Sequence, residues 1–264
     1  MSPTTSPESI DPLQLRSLRV AYGEVVAVDQ LSLTVREGEI YGLIGSNGAG
    51  KTSAIKAVMG LLVPRGGEVR VFGKDPVKEG IYTRTVTGYV PEVSILYDAL
   101  TPREYLEFVT SVRRLGGFQE RLMDFATALQ IEGEMDRAIS TLSNGTRQKV
   151  LVVSALLHQP RLLVLDEPFN SLDPRSVRIM KDLLLAYVRN GKRSILFSTH
   201  TMEVAERLCH RVGVLDRGTL RGEGTLEELR SQVKLPQATL EDIFLELTTD
   251  REQLNRIVDR LEAA

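Results

Sequence analysis

The sequence is short of cysteine, of unbalanced charge and of long apolar runs, and each shortage closes off a class of protein. Cys209 is the single cysteine, so no internal disulfide can form and the chain suits a reducing compartment. Its neighbours read as a helix, which makes it a packing residue. The 33 Lys and Arg nearly balance 35 Asp and Glu, for a net charge of −2; no global positive field favours nucleic acid. No apolar run approaches the roughly 18 residues needed to span a bilayer. The longest, Val150 to Leu157, begins after Arg147 and Lys149, so any membrane role falls to a separate partner. Met1 to Pro12 lacks the basic start and apolar run of a signal peptide. Rich in Ser, Thr and Pro, it reads as a flexible tail over residues 1–12.

What remains is an ordinary composition for a packed core: 264 residues, 42% apolar and 26% charged, enough for one or two domains. Leu13 to Ala21 and Val28 to Val35 alternate apolar and polar residues, the pattern of half-buried antiparallel strands. Glu39 to Ile44 is a short apolar strand that runs into a glycine-rich loop, followed by a helix from about Lys51 to Met59 and a strand over Glu68 to Phe72. The middle, about Pro91 to Gln159, reads mostly helical, with a strong helix start at Thr101-Pro102-Arg103-Glu104. Leu162 to Leu165 and Ser194 to Ser198 are wholly apolar or nearly so, as central parallel strands are. Asp173-Pro174 opens the helix between them. Val212 to Leu215 and a short strand beyond Arg217-Gly218 follow, and the stretch from Thr225 to Leu261 has helix starts at Thr225 and Thr239. Strands alternating with helices predict a parallel α/β sheet.

Gly45-Ser46-Asn47-Gly48-Ala49-Gly50-Lys51-Thr52 fits the phosphate-loop pattern G-x-x-x-x-G-K-[ST], and Ser53 continues the same turn. The glycines let consecutive N–H groups curl inward, and the helix that follows adds its positive end. Lys51 has the reach for the β- and γ-phosphates, and the Thr52 hydroxyl suits Mg²⁺. Asp166 and Glu167 end the apolar strand from Leu162, where open α/β sheets bind their ligands. Asp166 is expected to hold Mg²⁺, and Glu167 to take or orient the proton of an attacking water. These features define a nucleotide hydrolase or kinase and leave the choice open.

The rest of the chain decides the class, beginning with Leu142-Ser143-Asn144-Gly145-Thr146-Arg147-Gln148, placed about twenty residues before the acidic pair. That segment resembles the signature motif of the ATP-binding cassette (ABC) ATPases, commonly Leu-Ser-Gly-Gly-Gln; Ser143 and Gly145 match, whereas Asn144 and Thr146 depart. Further pieces stand in family order. Tyr22 matches the aromatic that stacks on adenine, Ser171-Leu172-Asp173 the loop that crosses the dimer interface, and His200 the switch histidine that contacts the γ-phosphate. Glu92, in Gly88-Tyr89-Val90-Pro91-Glu92, occupies the place of the family's glutamine beside Mg²⁺ and the attacking water.

The resemblance runs from about Leu13 to Thr248. It implies a P-loop NTPase (RecA-like) α/β core with an antiparallel β subdomain and an inserted helical subdomain at about 92–159, an ATPase domain over 13–237 and a C-terminal helical extension over 238–264. It further implies ATP and Mg²⁺ as ligands, with Glu167, His200 and Lys51 as the catalytic group and Thr52, Asp166 and Glu92 around the metal. The implied partners are a second ATP-binding subunit and an integral membrane transporter subunit, with no nucleic acid, on the inner face of the cell membrane. The segment Thr239 to Thr248 looks like the end of exporter ATPases. Rival readings are a cassette acting on nucleic acid or ribosomes, a catalytically dead regulatory cassette, and a small-molecule kinase that shares only the loop.

Overall fold

The computed structural model describes residues 10–249. Residues 1–9 of the expected tail and 250–264 of the expected helical extension lie outside the described residues. Two sheets carry the chain. The smaller is antiparallel, in the order β2-β1-β4, from β1 (Leu13–Tyr22), β2 (Val25–Val35) and β4 (Gly66–Val71). The larger has the order β5-β6-β7-β3-β8-β9, from β3 (Ile40–Ile44), β5 (Thr87–Val90), β6 (Leu162–Asp166), β7 (Ser194–Thr199), β8 (Arg211–Asp216) and β9 (Thr219–Gly224). Its first five strands are parallel, and β9 turns back antiparallel on β8.

The apolar runs of the central strands have a direct physical reading. A strand's side chains alternate between faces, and both faces of this sheet are covered. Leu163 and Leu165 of β6, Ile195 and Phe197 of β7, and Ile40 and Ile44 of β3 pack into one core. Their neighbours Leu162, Val164, Leu196, Tyr41 and Leu43 pack into a second. The second core is closed by α1 (Lys51–Val58) and the small sheet. The first is closed by α3 (Pro102–Val112), α4 (Gln119–Ala128), α5 (Asn144–Leu156), α6 (Pro174–Val188) and α7 (Met202–Leu208), with α8 (Leu226–Val233) and α9 (Leu240–Thr248) beyond.

Side-chain caps set the helix starts. Thr101, Thr225 and Thr239 each form a capping box with Glu104, Glu228 and Asp242, and Asp173 caps α6. Ser143 caps α5, which begins at Asn144. Thr101→Ala removes one acceptor and strands the N–H of Glu104. We expect it to cost about 1 kcal/mol, read as a fall of roughly 2–4 °C in the thermal midpoint.

Two elements are not evident from hydrophobic pattern: α2 (Gly80–Val86) and the edge strand β5. Both are short, and β5 carries a glycine, Gly88, whose lack of a side chain lets the Ala155 carbonyl and Pro160 pack against it. Cys209 ends α7 and is partly buried, with its sulfur where a side chain at Gly42 would stand. Burial, helped by the Glu39 carboxylate, pushes its thiol well above the ordinary range, as suits a packing residue.

Candidate active site at the carboxyl ends of the central strands

Sheet order gathers the site. β6, β7 and β3 are neighbours, and their registers pair Asp166 with Ser198 and Thr199 with Ile44. Whatever follows these strands therefore emerges side by side: Gly45 to Thr52 after β3, Glu167 after Asp166, and His200 after Thr199. On the outer side Val90 of β5 pairs with Leu165, which brings Pro91-Glu92 alongside the acids.

The loop after β3 is shaped by close backbone approaches. A side chain at Gly45 would meet the Leu215 carbonyl at 2.4 Å, and one at Gly50 would meet the Ala27 carbonyl at 2.3 Å. Gly50 also has φ +108°, a backbone conformation that favours glycine. At Gly48, φ +80°, nothing stands within 4 Å, so that part of the loop faces open space. α1 starts at Gly50 with no side-chain cap, and its first N–H groups are left to a ligand. The cavity here holds about 340 Å³ and is lined by Ala27, Asn47 to Ser53, Glu92 and Glu167. Gly45 and Ser46 do not line it; their carbonyls face the Lys51 ammonium.

Lys51 is 6% exposed and Glu167 4%. The Lys51 ammonium donates to the carbonyls of Gly45 at 2.8 Å and Ser46 at 3.1 Å. It also stands 3.3 Å from Glu167 Oε1 as an ion pair, although that oxygen completes no hydrogen bond. The other oxygen, Oε2, is 3.0 Å from His200 Nδ1 and accepts from the His200 backbone N–H at 3.4 Å. Glu167 therefore bridges the phosphate-loop lysine and the histidine. Its backbone is in the left-handed region, φ +47°, unusual for a residue with a side chain and a feature that clusters at functional sites.

Asp166 is buried; Ser198 donates to its Oδ1 at 2.5 Å, while Oδ2 has no partner. An orphaned buried carboxylate oxygen, with the Thr52 hydroxyl and the Glu92 carboxylate at the cavity, is a hard oxygen donor set of the kind Mg²⁺ takes. Among the described residues no group of three or more His, Cys, Asp or Glu could hold a metal alone. That suits an ion shared with substrate phosphates, which needs only one or two carboxylates. Burial, then the charges of Asp166 and Glu92, push the Tyr89 phenol up to about 12, so both acids bear on one small region. Glu92 itself has no ion pair or hydrogen bond among the described residues.

Tyr22 is half-exposed, its hydroxyl 3.3 Å from Ser53 Oγ at the first turn of α1. This leaves its ring free beside the loop. Ser143 and Gly145 do not line the cavity: at the N-terminal turn of α5, Ser143 is exposed and Gly145 half-buried, and the Ser143 hydroxyl accepts from Thr146 N at 3.2 Å. Two residues of the site escape motif reading. Ser198 both donates to Asp166 and accepts from Glu167 N at 3.1 Å; its only sequence signal is a hydroxyl near the end of a largely apolar strand, just before Thr199-His200. Ala27 receives the loop through its carbonyl, and nothing in its residue type announces that.

Comparison with known proteins agrees with this geometry. The family model described as ABC transporter matches residues 28–170. The ABC-type transporter ATP-binding protein EcsA of Bacillus subtilis (strain 168) is 33% identical over 240 residues, 90% of this chain and 97% of that protein. Nod factor export ATP-binding protein I of Rhizobium meliloti is 36% identical over 217 residues, 80% of this chain and 64% of that protein. A solved ATP binding subunit of an ABC transporter superposes with a TM-score of 0.85 at 32% identity, covering 90% of this chain and 99% of the other. The phosphate loop and the paired acids both lie within the matched residues 28–170, and with these relatives the chain belongs to the ABC transporter family and is one of its ATP-binding, ATP-hydrolysing cassettes.

Proposed function

We propose that this cassette works as half of a nucleotide sandwich that powers export through a separate integral membrane subunit, on the cytoplasmic face of the membrane. Each ATP lies between Gly45–Thr52 of one cassette and the Ser143–Gly145 turn of a second. The observation that carries this reading is the position of that turn: exposed, at the start of a helix, and away from the cavity of its own chain. A hydroxyl, backbone N–H groups and a helix N-terminus suit a phosphate that a partner presents. The likeness to Nod factor export ATP-binding protein I supports the direction.

The chain's own groups have clear tasks. The loop N–H groups and Lys51 bind and orient the β- and γ-phosphates, with adenine against Tyr22. Thr52, Asp166 and Glu92 would hold a divalent cation, which when bound would neutralise phosphate charge. Glu167 takes or orients the proton of the attacking water, and His200 positions Glu167 and meets the developing γ-phosphate charge. Because ATP touches both faces it favours the closed pair, and loss of the γ-phosphate releases it. The helical segment, about 92–159, grips a cytoplasmic helix of the membrane subunit, so opening and closing drive transport.

Complementation tests the sandwich. Lys51→Ala spoils the loop face of a site, and Ser143→Arg spoils the facing turn. Each purified variant alone should be inactive. An equimolar mixture forms some pairs in which both lesions fall on one site and the other site is intact. ATPase activity should then return to about a quarter of the unmodified level, from half the pairs with one of two sites working. A mixture as inactive as its components refutes the shared site.

A further inference from the structure

Two loops leave the nucleotide cavity next to its acids, and both end against the first turn of α5. One follows Glu92: the Ser94 hydroxyl donates to Gln148 Oε1 at 2.6 Å, and Arg147 donates to Asp98 Oδ1 at 2.5 Å. The other follows Glu167: Asn170 N donates to the Glu167 carbonyl, and Ser171, at φ +65°, sets its carbonyl where a side chain on Gly145 would be only 2.8 Å away. Gln148 is 3% exposed, and its amide nitrogen has no partner. A buried polar group held by a single hydrogen bond is costly to release, so the Ser94 contact fixes the loop and the helix turn to one another.

We infer that Ser94 and Gln148 are positioning residues: they set the Ser143–Gly145 turn in register for the partner's nucleotide, according to the state of the loop at the chain's own nucleotide. The inference rests on the sandwich reading. Glu92 lines the cavity, two residues from Ser94. A ligand that shifts Glu92 moves the Ser94 anchor, and the anchor acts on α5 one turn after Ser143. Arg147–Asp98 is more exposed and so the weaker tie. The start of α5 has Ser171 against Gly145 in its first turn and Ser94 against Gln148 at the beginning of its second, so it is held by two loops that both leave the cavity.

The experiment uses the full chain carrying Glu167→Gln, which holds nucleotide without turnover. Sedimentation of the pair is followed against Mg-ATP, and binding of a fluorescent ATP analogue is measured at protein concentrations where the chain is monomeric. Adding Ser94→Ala should raise the ATP concentration for half-maximal pairing by about tenfold, leave analogue binding by the monomer within about twofold, and be restored by Ser94→Thr. Gln148→Leu should act in the same direction, and Ser94→Ala decides the matter if Gln148→Leu lowers the thermal midpoint. An unchanged pairing midpoint overturns the inference. So does an equal loss of monomer binding, which would place Ser94 in its own site. If Glu167→Gln alone never pairs with Mg-ATP, the sandwich reading falls and takes this inference with it.

Discussion

Glu167→Gln leaves ATP bound and lowers turnover by about 10²–10⁴-fold, the usual worth of a positioned general base. Glutamine keeps the length and still offers an oxygen to the His200 N–H, now 3.4 Å from Glu167 Oε2, but it cannot accept a proton from water. The change also removes the carboxylate that draws Lys51 at 3.3 Å, which frees the ammonium for phosphate. Binding is therefore kept or strengthened while the chemical step fails, and ATP accumulates on the protein. Steady-state ATPase assays and retention of labelled ATP on the purified chain read the two halves separately. Near-normal turnover would remove Glu167 from the reaction.

Lys51→Ala acts at the other end of the same ion pair and in the opposite sense. The ammonium is nearly buried, donates to two loop carbonyls and stands in an ion pair with the carboxylate, so it is held at the loop proposed to cradle the phosphates. Removing such a charge–charge contact costs about 2–5 kcal/mol, roughly 30- to 4,000-fold in ATP affinity. Calorimetric titration with ATP reads this directly, and an unchanged dissociation constant would discard the phosphate cradle. The nucleotide-free protein should suffer as well. Glu167, 4% exposed, would lose its ion-pair partner, and its carboxylate would keep only its contacts with His200. Breaking a buried pair costs about 3–5 kcal/mol, and His200 places the loss at the lower end of that range, visible in unfolding without nucleotide. Glu167→Gln, by contrast, leaves Lys51 its two carbonyl acceptors and should be the milder change in the same measurement.

Much of this was legible in the order of residues because the physics involved is local. The phosphate loop needs glycines at backbone positions that exclude a Cβ, and the close approaches at Gly45 and Gly50 are of that kind. Helix starts at Thr101, Asp173, Thr225 and Thr239 depend on a side chain bonding within three residues. Strands buried on both faces must be apolar throughout, so Leu162–Leu165 announces its place. The ends of the pattern were less sharp: β5 and α2 are too short to show a period, and α5 begins with a Ser cap hidden inside a motif.

What the sequence determined by itself is the set of parts: a phosphate-binding turn, two acids at a strand end, a histidine after another strand, and a capped turn at Ser143. Only the tertiary structure decided their assembly. Strand order put Lys51, Glu167 and His200 into one bonded group, exposed Ser198 as the shared support of Asp166 and Glu167, and left the Ser143 turn outside the cavity of its own chain. Sheet neighbours and buried side-chain bonds such as Ser94–Gln148 join residues far apart along the chain, through packing that no window of sequence contains.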